Sequence, residues 1–375
     1  MTDSGEERLP LLRGPSGVET ARPVSMALSV SVGHLLRDRW RVVRGIGRGG
    51  FGAVYAAEDL VLGQEIAVKI LDPRLSCRRE ALKQFRREVG LLCGLAHERI
   101  VRVFHYDEEL AQSLAWFTME LVQGTSVAEV IARIREAGGG GDPLLCCKIL
   151  QQSLEGLAAA HERGIVHSDI SPANILLSSA KAHELVAGTA APAVKLVDFG
   201  IASLVGQAEL AERSLAHGTA PYMAPEVLAG EPVPTELRPA ADIFSLGAVV
   251  YELLTGSRAV SHYDREPDGG AEIPRPIRWL LERMLESVPE RRPGAAVALS
   301  ESRRVVQQLE SCRWVAPRAV RERPGRLQRR LEHAMDEDDL LRVRALLDQL
   351  KEILGPAVDD WPVIGIAEAW LLSHE

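Results

Sequence analysis

Short apolar segments that alternate with polar residues dominate the first third of the chain. Residues 40–44, 53–57 and 66–71 have the alternating or continuously apolar character of half-buried or buried strands. A further apolar strand over residues 116–122 leads to a glycine, Gly124. The pattern predicts a β-rich unit in the first part of the chain.

Helical periodicity begins at residue 79 and dominates the later part of the chain. Residues 79–95 place Leu82, Phe85, Val89 and Leu92 on one face. Further helices are predicted over residues 126–137, 143–164, 241–254, 274–286 and 294–309. Because residues 241–254 are apolar nearly all round, this helix is predicted to be central and buried.

Three segments lack strong periodicity or stand apart from the rest. Residues 1–33 mix Gly, Pro, Ser and charge, which predicts a disordered tail. Residues 178–193 are small and polar, which predicts a surface loop. Residues 313–375 form a separate region with a helix predicted over 337–354. Packing of this region on the neighbouring domain and a docking or regulatory role both stay open.

Composition narrows the class of protein. The chain has 375 residues, of which 46% are hydrophobic and 26% charged, as in soluble globular proteins. A net charge of −8 argues against a general nucleic-acid binder. The five cysteines form no Cys-x-x-Cys pair. The N-terminus lacks the basic-then-apolar order of a signal peptide. No apolar run approaches the roughly 20 residues of a membrane span. We therefore expect a cytoplasmic protein with reduced thiols.

Three glycines lie between the first two predicted strands. Gly47, Gly49 and Gly52 form a Gly-x-Gly-x-x-Gly pattern, in which backbone amides can approach phosphate groups without obstruction by side chains. The dinucleotide-binding version of this pattern leads into a helix. Here it leads into residues 53–57, which have strand character, so the sequence predicts a hairpin flap over a nucleotide.

One lysine, Lys69, lies within the apolar strand 66–71. A buried ammonium group is costly unless it is paired. Glu88 lies beside the apolar face of the helix over residues 79–95, where an inward-pointing carboxylate would pair with Lys69 and orient it toward phosphate oxygens. An edge-strand lysine that reaches solvent is an equally acceptable interpretation.

Two later segments carry residues suited to acid–base and metal chemistry. In the polar segment 167–177, Asp169 and Asn174 lie five residues apart, as a proton acceptor and a metal ligand would in phosphoryl transfer. A turn with an Asx cap explains this segment alone equally well. Asp198 ends the next predicted strand beside a Phe-Gly pair, a position suited to a magnesium-binding carboxylate.

These motifs together resemble the eukaryotic-like (Hanks-type) serine/threonine protein kinases of bacteria. The resemblance covers about residues 36–311 and preserves the family's order of motifs. The motifs are the glycine-rich loop, Ala67-Val68-Lys69, His167-x-Asp169 with Asn174, Asp198-Phe199-Gly200, Ala224-Pro225-Glu226, Asp242 and Arg292. The resemblance implies an α+β, two-lobed protein kinase fold. Its parts would be a small β-rich N-lobe over residues 36–123, a larger helical C-lobe over 124–311 and a helical C-terminal extension over 313–375.

The resemblance also implies a role for each matching residue. Asp169 would orient the substrate hydroxyl and accept its proton, while Lys69, paired with Glu88, would hold the α- and β-phosphates of ATP. Asn174 and Asp198 would bind Mg²⁺. The expected nucleotide contacts are Ile46, Gly47, Gly49, Gly52, Val54, Ala67, Lys69, Met119, Glu120, Leu121, Val122, Leu176 and Asp198. The expected structural partners are Leu92, His167 and Phe199 in a stacked spine anchored by Asp242, and Glu226 paired with Arg292.

Two residues depart from the family pattern. Ser168 replaces the arginine that normally pairs with a phosphorylated activation-loop residue, so activity is predicted to depend little on phosphorylation of residues 201–217. Ser171 replaces the lysine that touches the γ-phosphate. Because charge stabilisation of this kind is often a large catalytic contribution, its loss predicts a slow kinase.

The function that the resemblance implies is transfer of the γ-phosphate of Mg-ATP to Ser/Thr hydroxyls of protein substrates, in cytoplasmic signalling. A pseudokinase that binds nucleotide or a partner is the alternative that Ser168 and Ser171 support. Small-molecule phosphotransferases also tend to carry a small residue between the His and the Asp, but they lack a segment like Gly218–Glu226. We expect neither a nucleic acid nor a membrane as a partner, and a docking partner would bind residues 313–375.

Overall fold

The computed structural model describes residues 30–311 except for residues 50, 110–112, 138, 179, 187–189, 200–217, 231–232 and 259–272, and it also describes scattered residues between 331 and 371. Residues 30–33, which the sequence assigns to the N-terminal tail, instead pack on the first lobe. Val30 is buried, and the amide of Gly33 donates to the carbonyl of Val42 at 2.8 Å. The rest of the expected tail, residues 1–29, lies outside the described residues.

An antiparallel sheet forms the first lobe, as the alternating pattern predicts. Its elements are β1 (Leu35–Leu36), β2 (Trp40–Gly49), β3 (Gly52–Asp59), β4 (Gln64–Leu71), α1 (Pro73–Ser76), α2 (Arg79–Cys93), β5 (Val103–Glu109) and β6 (Leu114–Met119). The strands follow the order β1-β2-β3-β4-β6-β5. The sequence prediction omits β5 because the charged residues 107–109 obscure its alternation.

Strand β4 shows how the alternation divides this lobe into two cores. Val68 faces a cluster that includes Trp116. Ala67 faces the opposite cluster, to which α2 contributes Phe85. Because side chains alternate along a strand, Lys69 shares the face of Ala67 and is directed toward α2 rather than toward the other core.

Helices build the second lobe around one buried central helix. They are α3 (Val127–Glu136), α4 (Pro143–His161), α5 (Ala182–Val186), α6 (Pro225–Leu228), α7 (Arg238–Thr255), α8 (Arg275–Met284) and α9 (Ala295–Ser311). Helix α7 is buried along most of its length and confirms the predicted central helix. Its end is set by Gly256, whose φ of 70° suits the left-handed C-terminal position that glycine favours. A small antiparallel sheet of β7 (Gly124–Ser126), β8 (Ile175–Ser178) and β9 (Val194–Leu196) adjoins these helices.

The segment over residues 178–193 corrects the prediction of a surface loop. It contains helix α5, and Leu185 of that helix is only 1% exposed. Packing on α3 thus overrides the small and polar composition of the segment. In the C-terminal extension the described residues are helical, and the buried ones include Leu331, Val343, Leu347 and Leu371. Across the parts of the chain that the structure describes, no helix has the length and apolar character needed to cross a bilayer.

Candidate active site

The glycine-rich loop closes a hairpin between β2 and β3, in which Gly49 lies opposite Gly52. Gly52 has a φ of 151°, and a Cβ atom at this residue would lie 2.0 Å from the carbonyl oxygen of Ile70. Only glycine fits at this position, because β4 approaches the backbone so closely. Residues 46–49, on the β2 side of the turn, are exposed. The predicted flap therefore has the strand-turn-strand form that the sequence indicates.

The apolar residues among the expected nucleotide contacts lie where the two lobes meet. Ala67 and Met119 are partners in the β4–β6 register, and both are buried. Val54 and residues 121–122, in the hinge that connects the two lobes, are half-buried and pack on the cluster that contains Ala67 and Met119. Leu176 lies on β8 in the second lobe and is half-buried between two buried neighbours. The structure thus brings most of this set together and places Leu176 on the opposite lobe.

Glu120, in the connection between the lobes, is held on two sides. Its amide donates to the carbonyl of Arg102 at 2.9 Å, and its carboxylate lies 2.9 Å from Nζ of Lys195 on β9. Sequence reasoning missed Lys195, whose only signal is a charged residue within an otherwise apolar strand. The Glu120–Lys195 pair joins the hinge to the strand that leads into Asp198.

Lys69 lies in the interior strand β4, between β3 and β6, and is 6% exposed, which rules out the edge-strand interpretation. Its Nζ lies 2.6 Å from Oδ2 of Asp198. A buried ammonium needs a close carboxylate, and Asp198 supplies it. Glu88 is half-buried on α2. Its predicted pairing with Lys69 stays a prediction.

Asp169 and Asn174 are in direct contact. Nδ2 of Asn174 donates to the backbone carbonyl of Asp169 at 2.8 Å and to its carboxylate at 3.2 Å, which goes beyond a local Asx cap. This orientation leaves the amide oxygen of Asn174 available for a cation. Burial, together with the negative charge of Asp198, raises the pKa of Asp169 to about 7, while Lys69 and the bond from Asn174 act in the opposite direction. The four side chains form one cluster in which Asp169 has the basicity of a proton acceptor near neutral pH.

Asp242 holds the backbone of the loop that carries Asp169. Its two carboxylate oxygens accept hydrogen bonds from the amides of His167 and Ser168, each at 2.8 Å. Ser168 has a φ of 65°, a conformation that costs about 1–3 kcal/mol for most residues and persists only where the surroundings enforce it. Nε2 of His161, at the end of α4, lies 2.9 Å from Oδ2 of Asp242. Sequence reasoning missed His161, which is marked only as a polar residue at the end of a largely apolar helix.

The residues of the predicted spine are buried beside this loop. The rings of His167 and Phe199 lie 4.4 Å apart, and Leu92 belongs to the same core cluster as Phe199. Nε2 of His167 lies 2.8 Å from the carbonyl of Val197. Burial lowers the pKa of His167, so the ring is held in its neutral form. His167 therefore contributes ring packing against Phe199 and a hydrogen bond to Val197 beside the loop.

The expected activation segment is described only at its end. Residues 200–217 lie outside the described residues, and the chain resumes at Gly218. The predicted ion pair that anchors this end is formed: the two terminal nitrogens of Arg292 lie 2.6 and 2.8 Å from the carboxylate oxygens of Glu226. Arg292 thereby ties the start of α6 to the segment before α9.

Ser171 is 1% exposed, and its hydroxyl has no hydrogen-bond partner in the described part of the chain. A buried hydroxyl without a partner is costly. The residue stands two positions after Asp169, where the resemblance implies a lysine. The structure thus places a small, uncharged and fully enclosed side chain at that position.

Comparison with known proteins identifies the family of this chain. A family model of the protein kinase domain matches residues 40–303. The serine/threonine-protein kinase Pkn1 of Myxococcus xanthus is 31% identical over 77% of this chain and 40% of its own length. The serine/threonine-protein kinase PknA of Mycobacterium tuberculosis is 33% identical over 71% of this chain and 60% of its own length. The chain therefore spans less than two thirds of either relative.

Solved structures show the same fold. The kinase domain of PknI from Mycobacterium tuberculosis superposes with a TM-score of 0.56 at 24% identity, covering 74% of this chain and 99% of that domain. The family match over residues 40–303 agrees with the range of about 36–311 that the motifs indicate. The chain belongs to the protein kinase family, and it resembles the serine/threonine kinases of bacteria.

Proposed function

We propose that the protein is an ATP-dependent serine/threonine protein kinase that transfers the γ-phosphate of Mg-ATP to protein hydroxyl groups. The cluster of Lys69, Asp169, Asn174 and Asp198 beside the glycine hairpin is the observation that supports this proposal. Asp169 supplies a proton acceptor, and the other three supply a cation and oxygen ligands for a metal–phosphate complex. Positioning and electrostatics account for most of the catalysis of phosphoryl transfer, and these groups are of the kind that supplies both.

The donor set fits Mg²⁺. Magnesium typically takes one or two carboxylates and completes its shell with phosphate oxygens and water. Asp198 offers a carboxylate, and the amide oxygen of Asn174 is left available by the bonds that its nitrogen makes to Asp169. The metal would supply charge neutralisation on the phosphates. When nucleotide binds, we expect Lys69 to exchange Asp198 for phosphate oxygens.

Radiolabelled ATP and a generic protein substrate, with the wild type compared to Asp169→Asn, test this proposal. We expect label transfer by the wild type and a loss of roughly a hundredfold or more in the variant, because the proton acceptor is removed. Equal transfer by both proteins, or none by either, would contradict an enzymatic function.

A pseudokinase is the second candidate, and Ser171 is the observation that favours it. Stabilisation by Mg-ATP in a thermal shift assay without transfer of label would identify this outcome. A small-molecule phosphotransferase is less well supported. The segment Gly218–Glu226, whose end is anchored by the Glu226–Arg292 pair, favours a protein substrate.

The serine at position 168 leads to an expectation about regulation. A family member with arginine there can bind a phosphorylated activation loop, whereas Ser168 offers no positive charge. We expect activity to depend little on phosphorylation of Ser203, Ser214 or Thr219. Phosphatase treatment and the three single alanine variants test this idea. It is wrong if phosphatase silences the wild type and every variant is inactive.

Residues 313–375 are where we expect packing on the kinase domain or docking of a partner. Deletion of this region, followed by unfolding and phosphotransfer measurements, distinguishes the two. Loss of folding would indicate packing, and a changed rate in a folded protein would indicate regulation. Cytoplasmic signalling is part of this proposal and rests on the composition of the sequence.

A further inference from the structure

The connection between β8 and β9 is longer than its geometry requires. Antiparallel neighbours are commonly joined by about two to five residues, whereas this connection extends from residue 179 to residue 193. Its ends nevertheless close like an ordinary hairpin. The amide of Ser178 donates to the carbonyl of Ala193 at 2.9 Å, and its hydroxyl donates to the same oxygen at 3.1 Å. The additional residues are therefore an insertion that leaves the strand pairing intact.

The base of this insertion is also fixed to α4. Nε2 of Gln152 donates to the carbonyl of Pro192 at 3.0 Å, and Oε1 of Gln152 accepts the amide of Val194 at 3.0 Å. Helix α4 packs against α7 and α9, so this glutamine connects the insertion to the centre of the lobe. Helix α5 consequently extends from an immobilised base.

Helix α5 packs inward, against α3. Its first turn is capped locally, since the amide of Lys181 donates to the carboxylate of Glu184 at 2.8 Å. Ala180 is 5% exposed and Leu185 is 1% exposed, and both belong to the main core of the protein. The helix contacts α3, which begins directly after the hinge and β7. Leu185 is the large apolar side chain that this short helix buries completely.

Helix α3 in turn contacts the turn Pro172–Asn174. This turn carries Asn174, and it is closed by the bond from the amide of Asn174 to the carbonyl of Ser171 at 3.0 Å. Helix α3 therefore contacts the insertion and also the turn that holds a proposed magnesium ligand. A shift of α3 away from this turn would remove packing from the residues that carry Asn174.

We propose that α5 is a positioning element for the metal–nucleotide site, in which Leu185 holds α3 against the turn Pro172–Asn174. This inference rests on the function proposed above, because it assigns to Leu185 an influence on binding of Mg-ATP. Leu185 is a positioning residue, since it acts on Asn174 only through α3. Truncation of the Leu185 side chain should reduce the gain in ATP affinity that Mg²⁺ provides, and this effect should exceed the effect on global folding.

Three variants of the full chain test the inference: Leu185→Ala, Leu185→Met and Leu280→Ala. Leu280 is the matched control, because it is also 1% exposed but lies on α8, which packs against α7 and α9. Methionine has a volume close to that of leucine and should preserve the contact. The measurements are amide hydrogen exchange of α3 and the turn Pro172–Asn174, and the Kd for ATP with and without Mg²⁺.

We expect Leu185→Ala to accelerate exchange in α3 and in the turn, and to weaken ATP binding roughly fivefold with Mg²⁺ but much less without it. Leu185→Met should match the wild type, and Leu280→Ala should change neither measurement at the site. Unchanged exchange at the turn in Leu185→Ala, or the same change in Leu280→Ala, would overturn the inference. The wild type could also bind no ATP while Leu185→Ala still accelerates amide exchange in α3 and in the turn. This result would support the link between α5 and the turn and would contradict the proposed function.

Discussion

Removal of the buried guanidinium group of Arg292 should strongly destabilise the second lobe. The side chain of Arg292 is 0% exposed, and that of Glu226 is 17% exposed. Arg292 makes two bonds to Glu226 and also donates to the backbone carbonyls of Glu286, Ala240 and Ser287 at 2.7, 3.1 and 3.2 Å. The substitution Arg292→Met keeps most of the side-chain volume and removes all of these bonds.

The size of the destabilisation caused by Arg292→Met follows from the burial of the charges on Arg292 and Glu226. Loss of one partner from a buried ion pair costs about 3–5 kcal/mol, because the other charge is left without compensation. Since Glu226 retains some access to water, we expect a cost of about 3–4 kcal/mol for Arg292→Met. For a domain of this size each kcal/mol lowers the Tm by about 2–4 °C, so the Tm should fall by roughly 6–16 °C.

Thermal unfolding of single and double variants measures this effect. Arg292→Lys keeps the charge but cannot form the two parallel bonds to Glu226, so its Tm should lie between those of the wild type and Arg292→Met. The double variant Arg292→Met/Glu226→Gln should be more stable than Arg292→Met alone, because no buried carboxylate is left unpaired. A Tm for Arg292→Met within about 2 °C of the wild type would refute this account of the pair.

Three further predictions concern the catalytic loop and the first lobe. Ser171→Ala should leave the rate of label transfer nearly unchanged, because the buried hydroxyl has no hydrogen-bond partner in the described part of the chain. A large loss of rate would mean that this hydroxyl takes part in the reaction. His161→Ala should lower kcat with little change in the KM for ATP, because Asp242 loses a hydrogen-bond partner. His161→Gln should recover part of kcat. Equal effects on kcat and KM would contradict a positioning role for His161. Arg39 lowers the pKa of Asp59 to about 2 from an ordinary 3.8. The stability that this carboxylate contributes is therefore complete above about pH 4 and is lost as the pH falls toward 2. Asp59→Asn should flatten this acid dependence in urea unfolding, and an unchanged dependence would count against the pair.

Several features were predictable from the sequence because they depend on local chemistry. The apolar run over residues 66–71 predicts a strand, and residue type marks Lys69 as its one charged position. The glycine at position 52 is required by the backbone there, since β4 leaves no room for a Cβ atom. Asp169 and Asn174 lie close together in the chain, so a single loop brings them into contact. Period and residue type are therefore sufficient to predict strands in the first part of the chain and helices in the later part, whereas the resemblance to protein kinases supplies the two lobes and the roles of the site residues.

Other features depended on the tertiary structure alone. Lys69 pairs with Asp198, a partner that the sequence did not assign to it. His161 contacts Asp242 across the lobe, and the surface on α3 converts a polar segment into a helix around Leu185. Each of these outcomes joins residues that are distant in the chain. Periodicity describes how one element presents its own faces, but the distance between two faces is determined only when helices and strands pack together.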